Sequence, residues 1–266
     1  MRLPRLFALC LLPLLVMSLP ALAAMQSQAV NWQVDGRQYS GYVVWEDAIN
    51  TPRPGLVMVP NWRGVNDSAV EKAKAVAGQN YVVLVADVYG SKLRPKDNTE
   101  AAAAAGPLRA DRPELQRRTA AAVTALRAQA GRVPLDAERI GAIGFCFGGT
   151  AVLELVRMGQ SLAGVVSLHG GLGTDTPMAA ASARSALLVL NGAADRAVSN
   201  DEIVAFGKEM DAAGADWQFV NFAGAVHCFA EADAGNDAAS NCRYDARAAT
   251  RAYRYLHDFF GERFAR

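Results

Sequence analysis

The stretch Arg139-Ile-Gly-Ala-Ile-Gly-Phe-Cys-Phe-Gly-Gly-Thr150 holds the most chemically suggestive residues of this 266-residue sequence. An apolar run ends at Gly144, Cys146 sits midway between Gly144 and Gly148, and helical spacing begins within two residues. This is the strand–turn–helix setting of a G-x-nucleophile-x-G elbow, with cysteine where serine is commoner. In so tight a turn, side chains two residues either side of the nucleophile would collide with neighbouring backbone, and glycine removes them. The following helix N-terminus brings backbone N–H groups and positive dipole to the sulfur, which suits an anionic nucleophile and a developing oxyanion. A buried structural cysteine beside a glycine-rich turn is the competing reading. A dinucleotide fingerprint is not, because Gly144-x-x-x-Gly148-Gly149 does not satisfy G-x-G-x-x-G.

A cysteine nucleophile needs a base and a residue to orient it, and after an elbow the chain order is nucleophile, acid, histidine. Only His169, His227 and His257 are present. His257 falls within a helical pattern, and His169 ends a strand but precedes every acid candidate, so it could at most line the site. His227 follows the last strand, on a loop at the carboxyl edge of the sheet, where open α/β sheets carry their sites. Asp195 follows the preceding strand, in Leu187-Leu-Val-Leu-Asn-Gly-Ala-Ala-Asp195, and is preferred over Asp201, which opens the next helix. Cys146, Asp195 and His227 are therefore the expected catalytic set.

The elements that must position them alternate. Val30–Val34 and Tyr39–Trp45 flank Asp35-Gly36, the turn chemistry of a hairpin. Strands are expected at 55–60, 81–86, 139–143, 162–168, 185–190 and 217–222, and helices at 67–79, 113–129, 148–158, 200–213 and 244–260. The residues between Tyr89 and Pro113, with charges, two prolines and the run Ala101–Ala105, read as a surface excursion with a short helix. Strands alternating with helices imply an α/β fold, a mostly parallel sheet with helices on both faces.

Ahead of this lies Met1-Arg-Leu-Pro-Arg5, an apolar run over Leu6–Leu19, and small residues ending in Ala21-Leu-Ala-Ala24. That pattern is a secretory signal peptide over 1–23, cleaved after Ala23, and residues 24–266 are expected to form one domain. The apolar run, broken by proline, is too short for a membrane span. Cleavage removes two arginines and Cys10 and leaves 243 residues, 25 basic against 26 acidic side chains, a net charge of −1. So even a balance excludes a nucleic-acid surface. The compartment expected is a periplasm, and the mature chain a soluble monomer without a membrane partner.

Together, Pro60-Asn-Trp-Arg-Gly-Val-Asn66, Ala86-Asp-Val-Tyr89, Gly144-Phe-Cys-Phe-Gly-Gly149, Gly192-Ala-Ala-Asp195 and Val226-His-Cys-Phe229 resemble the dienelactone hydrolase (carboxymethylenebutenolidase) family of the α/β-hydrolase superfamily, over roughly Tyr39 to Phe260. The resemblance implies an α/β-hydrolase fold and hydrolysis of a lactone or carboxylic ester without cofactor or metal. It implies Cys146 as nucleophile, His227 as base, Asp195 as its orienting acid, and the backbone N–H groups of Phe147 and Trp62 as oxyanion hole. It also exposes departures. Asn61 stands where the family's name-giving member has a glutamate beside the resting cysteine, so a simpler His227–Cys146 pair is expected. Ser91 and Glu231 stand where that member has the arginines that bind the dienelactone carboxylate, with Lys92, Arg94 or Arg63 as conceivable substitutes. A glutamate repels a carboxylate, so dienelactone itself is not the expected substrate. Asn61, Arg63, Tyr89, Ser91, His169 and Glu231 are the pocket candidates.

Cys228 and Cys242 have two readings: a disulfide closing the polar segment 229–241, or two separate buried thiols. Their spacing does not suit a metal, and without a C-x-x-C pair a thiol redox role is weak. The alternative to an enzyme is an exported, non-catalytic ligand-binding protein that kept the scaffold.

Overall fold

The backbone at Asp35-Gly36 has positive φ at both residues, 47° and 78°, the turn that two tightly paired antiparallel strands require. In the computed structural model, which describes residues 24–265, it joins β1 (Met25–Val34) to β2 (Arg37–Glu46), paired from Val34↔Arg37 out to Met25↔Glu46. The signal-peptide expectation lies outside the described residues. β1 starts five residues before the expected Val30. It is an edge strand whose residues 27–29 are all exposed, so it carries no apolar alternation there.

Past the hairpin run β3 (Arg53–Val59), α1 (Asp67–Ala77), β4 (Val82–Val85), α2 (Asn98–Ala110), α3 (Arg112–Arg127), β5 (Leu135–Phe145) and α4 (Phe147–Arg157). Then follow β6 (Gly164–Leu168), β7 (Ala186–Gly192), α5 (Asn200–Ala212), β8 (Trp217–Phe222), a one-turn 3-10 helix (Ala232–Ala234) and α6 (Ala246–Phe264). The sheet order is β1-β2-β4-β3-β5-β6-β7-β8, antiparallel at β1–β2 and β2–β4 and parallel from there on. No helix of the described residues is long and apolar enough to cross a membrane.

Alternate residues of each strand enter two cores. Val57, Ala142, Val165, Leu187 and Val189 pack with α2–α5, whereas Met58, Ile143, Val166, Leu188 and Leu190 pack with α1 and α6. Such two-sided burial makes the strands read as unbroken apolar runs. The segment expected as a surface excursion holds α2, a 13-residue helix capped by Asp97 and burying Ala101, Ala105 and Leu108. Its apolar face is mostly alanine and Pro107 lies inside it, so its periodicity is faint.

Parallel pairing puts the carboxyl ends of β3, β5, β6, β7 and β8 along one edge, and the site loops leave from there. Between β5 and α4 the turn is so close that a Cβ on Gly144 would overlap Gly148 O, and one on Gly148 would overlap Val59 O. Both obstacles are backbone and cannot rotate away. Gly148→Ala is therefore expected to destabilise the fold by about 1–3 kcal/mol or more. Gly261→Ala, exposed in α6 with nothing near its Cβ position, should stabilise by about 0.5–1 kcal/mol. Urea unfolding midpoints check both signs.

Candidate active site

Cys146 occupies the turn between β5 and α4 with φ 53° and ψ −116°, a conformation L residues rarely adopt. Its N–H donates to Leu168 O at 3.0 Å, its C=O accepts from Thr150 N–H at 3.2 Å, and α4 starts at the next residue. Phe147 opens α4, so its N–H has no intrahelical acceptor. His227, on the loop after β8, sets Nε2 2.9 Å from Cys146 Sγ, while its Nδ1 lies 2.7 Å from Asp195 Oδ2, on the turn after β7. The three residues, 49 and 32 positions apart in sequence, form one hydrogen-bonded line.

Burial works against the imidazolium of His227, but its bonds to Asp195 and Cys146 outweigh that and raise its pKa to about 10. Burial also works against the Asp195 carboxylate. The hydrogen bonds from His227, Ala197 N–H and Asn241 prevail and hold it below the usual carboxylate range.

Beneath this line lies His169, fully buried, with φ 41° and its ring edge-on to His227 at 5.2 Å between centroids. The Cys146 N–H also points at His169 Nδ1 (3.1 Å), which leaves the proton of a neutral ring on Nε2. Burial first, then the nearby His227, hold the His169 pKa far below the ordinary histidine value. Its Nε2 faces Glu231 Oε1 at 4.0 Å. Glu231 is itself buried, which raises its pKa against the opposing pull of Lys72 and Asn61. Its Oε2 accepts from Asn61 Nδ2 at 2.5 Å and lies 3.1 Å from Lys72 Nζ.

A cavity of about 280 Å³ opens over Cys146, lined among others by Asn61, Trp62, Arg63, Cys228 and Glu231. Among the described residues no group of histidines, cysteines and carboxylates is arranged to hold a metal ion.

The model of the dienelactone hydrolase family matches residues 40–264. The chain belongs to the dienelactone hydrolase family. A dienelactone hydrolase-like promiscuous phosphotriesterase from metagenomic libraries is 34% identical, with 90% of this chain and 98% of that one covered and a TM-score of 0.83. Thermogutta terrifontis esterase 2, solved phosphorylated by paraoxon, shares the fold at 18% identity and TM-score 0.62, with 94% and 97% covered. An uncharacterized protein of Caenorhabditis elegans is 33% identical over 158 residues, 57% of this chain and 96% of its own length. The family is one of hydrolases, and the mostly parallel sheet with helices on both faces is the α/β-hydrolase fold.

Against that family background, the pocket candidates separate. Asn61, Arg63 and Glu231 line the cavity, but the Arg63 guanidinium donates to Lys96 O at 2.8 Å and to Asn98 Oδ1 at 2.9 Å. Tyr89 is a buried support that donates to Trp62 O at 3.0 Å and stacks on Phe147. His169 lies under the cavity rather than in its wall. Ser91 is not in this cavity: its N–H is tied to Gln38 O at 2.8 Å, and with Lys92 it lines a separate cavity of about 580 Å³ beside the hairpin. Arg94 is not in the wall either, since it is drawn to Asp87 and Ser40. His257 stacks on Tyr81 in α6, away from the site, and Asp201 sits in the first turn of α5.

Sequence reasoning missed Lys72 and Asn241. Lys72 lies on α1 with nothing in its spacing to single it out. Asn241 Nδ2 reaches Asp195 Oδ1 at 2.9 Å from a loop closed by a disulfide between Cys228 and Cys242. The even spacing of the two cysteines around one polar segment was the available signal.

The His227 shift makes a stability prediction. Its folded-state pKa lies above the ordinary 6.5, so its contribution is complete below pH 6.5 and lost as pH rises through about 10. The melting-temperature gap between the parent and Asp195→Asn should narrow over that window in thermal scans at stepped pH. A constant gap would contradict the raised value.

Proposed function

We propose that the chain is an exported hydrolase of carboxylic esters or lactones that works through a thioester on Cys146. The observation that carries this reading is the hydrogen-bonded line from Asp195 through His227 to Cys146 Sγ, at 2.7 Å and 2.9 Å. In this reading Asp195 holds His227 in the tautomer and orientation that put Nε2 toward sulfur. The Cys146 thiolate attacks the carbonyl carbon. The S–C bond forms as the carbonyl electrons move onto oxygen, which the N–H groups of Phe147 and Trp62 hold. The tetrahedral adduct collapses by breaking the C–O bond, and the His227 imidazolium gives its proton to the departing alkoxide. Neutral His227 then takes a proton from water, the hydroxide attacks the thioester, and the S–C bond breaks. The carboxylic acid leaves and the thiolate–imidazolium pair is restored.

The cavity supports a neutral substrate. Among the described residues lining it, Arg63 is the one cation, and its guanidinium is already engaged; Glu231 and Asp233 are also in the wall. A substrate carboxylate would meet like charge and no free partner. The phosphotriesterase description of the metagenomic relative favours a second reading, a side activity on neutral phosphotriesters through the same sulfur.

Two measurements test the proposal. Cys146→Ala should lose turnover of p-nitrophenyl acetate by roughly a millionfold, down to background; retained turnover would overturn the nucleophile assignment. In a screen of lactones and short esters, kcat/KM should favour neutral members over their carboxylate-bearing analogues, and the reverse order would overturn the substrate class. A p-nitrophenyl phosphotriester in the same screen decides the second reading.

A further inference from the structure

We propose that the loop closed by Cys228–Cys242 belongs to the machinery of the site: Asn241 is a positioning residue that holds Asp195 so that Asp195 can hold His227. The inference rests on the reading of Cys146 and His227 given above and extends it to residues outside the line of three.

Each half of the disulfide directly follows a residue bonded to Asp195: Cys228 follows His227, and Cys242 follows Asn241. The covalent bond therefore fastens together the two groups that grip one carboxylate from either side. His227 takes Oδ2 at 2.7 Å. Asn241 Nδ2 donates to Oδ1 at 2.9 Å, where Ala197 N–H also donates at 2.8 Å. With both oxygens held, rotation of the carboxylate would break bonds at each end, so its plane stays turned toward His227 Nδ1. The Asn241 amide is oriented in turn, because its Oδ1 accepts from Arg196 N–H at 3.0 Å and leaves the NH₂ for Asp195.

Apolar packing holds only the start of this loop, where Phe229 and Ala230 are buried. From residue 232 to 241 no residue is buried. Polar ties fix that stretch: the disulfide, a backbone bridge between His227 and Cys242, the Arg243 N–H bond to His227 O at 3.1 Å, the Arg243 guanidinium on the carbonyls of Ala238 and Ser240, Tyr244 N–H on Gly235 O at 2.8 Å, and Asp233 on Ser68 and Lys72. Cys228 keeps φ at 62°, an uncommon conformation for a non-glycine residue, to turn its sulfur toward Cys242. A polar, exposed loop with a covalent tie and a strained anchor next to the base is an arrangement whose common point is Asp195.

The test compares Asn241→Ala, Asn241→Asp and the double variant Cys228→Ser/Cys242→Ser with the parent. Asn241→Asp isolates the contact, because it keeps the acceptor for Arg196 N–H while replacing the donor to Asp195 with a like charge. Two readouts are taken: the rate of Cys146 alkylation by iodoacetamide at pH 7, and kcat and KM for p-nitrophenyl acetate. Cys146 is the free cysteine of the described residues in the parent and in every variant, and alkylation is read by mass spectrometry on the peptide that carries it, apart from Cys10. Asn241→Ala should slow alkylation and lower kcat by about ten- to a hundredfold, the range for losing a hydrogen bond to a charged group, with KM little changed. Asn241→Asp should fall further, because it sets a like charge against Asp195, and the double serine variant should fall in the same direction. Parental alkylation and kcat in both Asn241 variants would overturn the inference, even if the disulfide variant lost activity. If the parent hydrolyses no ester, the functional reading fails, but the alkylation rates still decide the role of Asn241.

Discussion

The backbone of Cys146 is held at φ 53°, ψ −116°, and most of the structure can be understood as what makes that turn tolerable. Such a conformation costs on the order of 1–3 kcal/mol and persists only where the surroundings over-determine it. Here β5 delivers the residue from inside the sheet, Leu168 O and Thr150 N–H bind its two backbone groups, and Gly144 and Gly148 leave room for α4 to start at once. The turn aims the sulfur out of the carboxyl edge of the sheet with the helix N-terminus directly behind it. A relaxed strand–loop–helix connection would place neither.

The second constraint is the burial of polar groups beneath the site. The line Asp195–His227–Cys146 stands on a buried layer of His169 and Glu231, with Lys72 reaching in from α1. Asn61 Nδ2 bonded to Glu231 Oε2 ties the loop after β3, which carries Trp62, to the loop after β8, which carries His227. One oxygen of the buried carboxylate, Oε2, answers Asn61 and Lys72, while Oε1 faces His169 Nε2 at 4.0 Å without a hydrogen bond. This changes the meaning of the family departures. Where the family's name-giving member has a glutamate and a carboxylate-binding arginine, this chain has Asn61 and Glu231, and the two are bonded to each other.

Legibility from sequence followed the source of each signal. The elbow could be read because its glycines are required by local sterics, and β3, β4, β6 and β7 because strands buried on both faces are nearly pure aliphatic runs. The partners of Cys146 could be read because three histidines and a fixed chain order leave few options. α2 was under-read because alanine buries a helix face without announcing it, and the start of β1 because an edge strand need not alternate. Ser91 was assigned to the pocket by position alone, whereas its backbone bond to Gln38 turns the segment toward the hairpin. Asn241 and Lys72 act across 46 and 159 residues of chain, on Asp195 and Glu231, and no local pattern encodes contacts of that range.

The proposed chemistry requires a covalent bond to one sulfur. Intact-mass spectrometry of the chain quenched in acid during turnover of a slowly released aryl ester, followed by peptide mapping, measures it directly. A Cys146 nucleophile gives one added acyl group, carried by Cys146, that disappears as substrate is exhausted. Turnover with no adduct, or an adduct on any other residue, would contradict it.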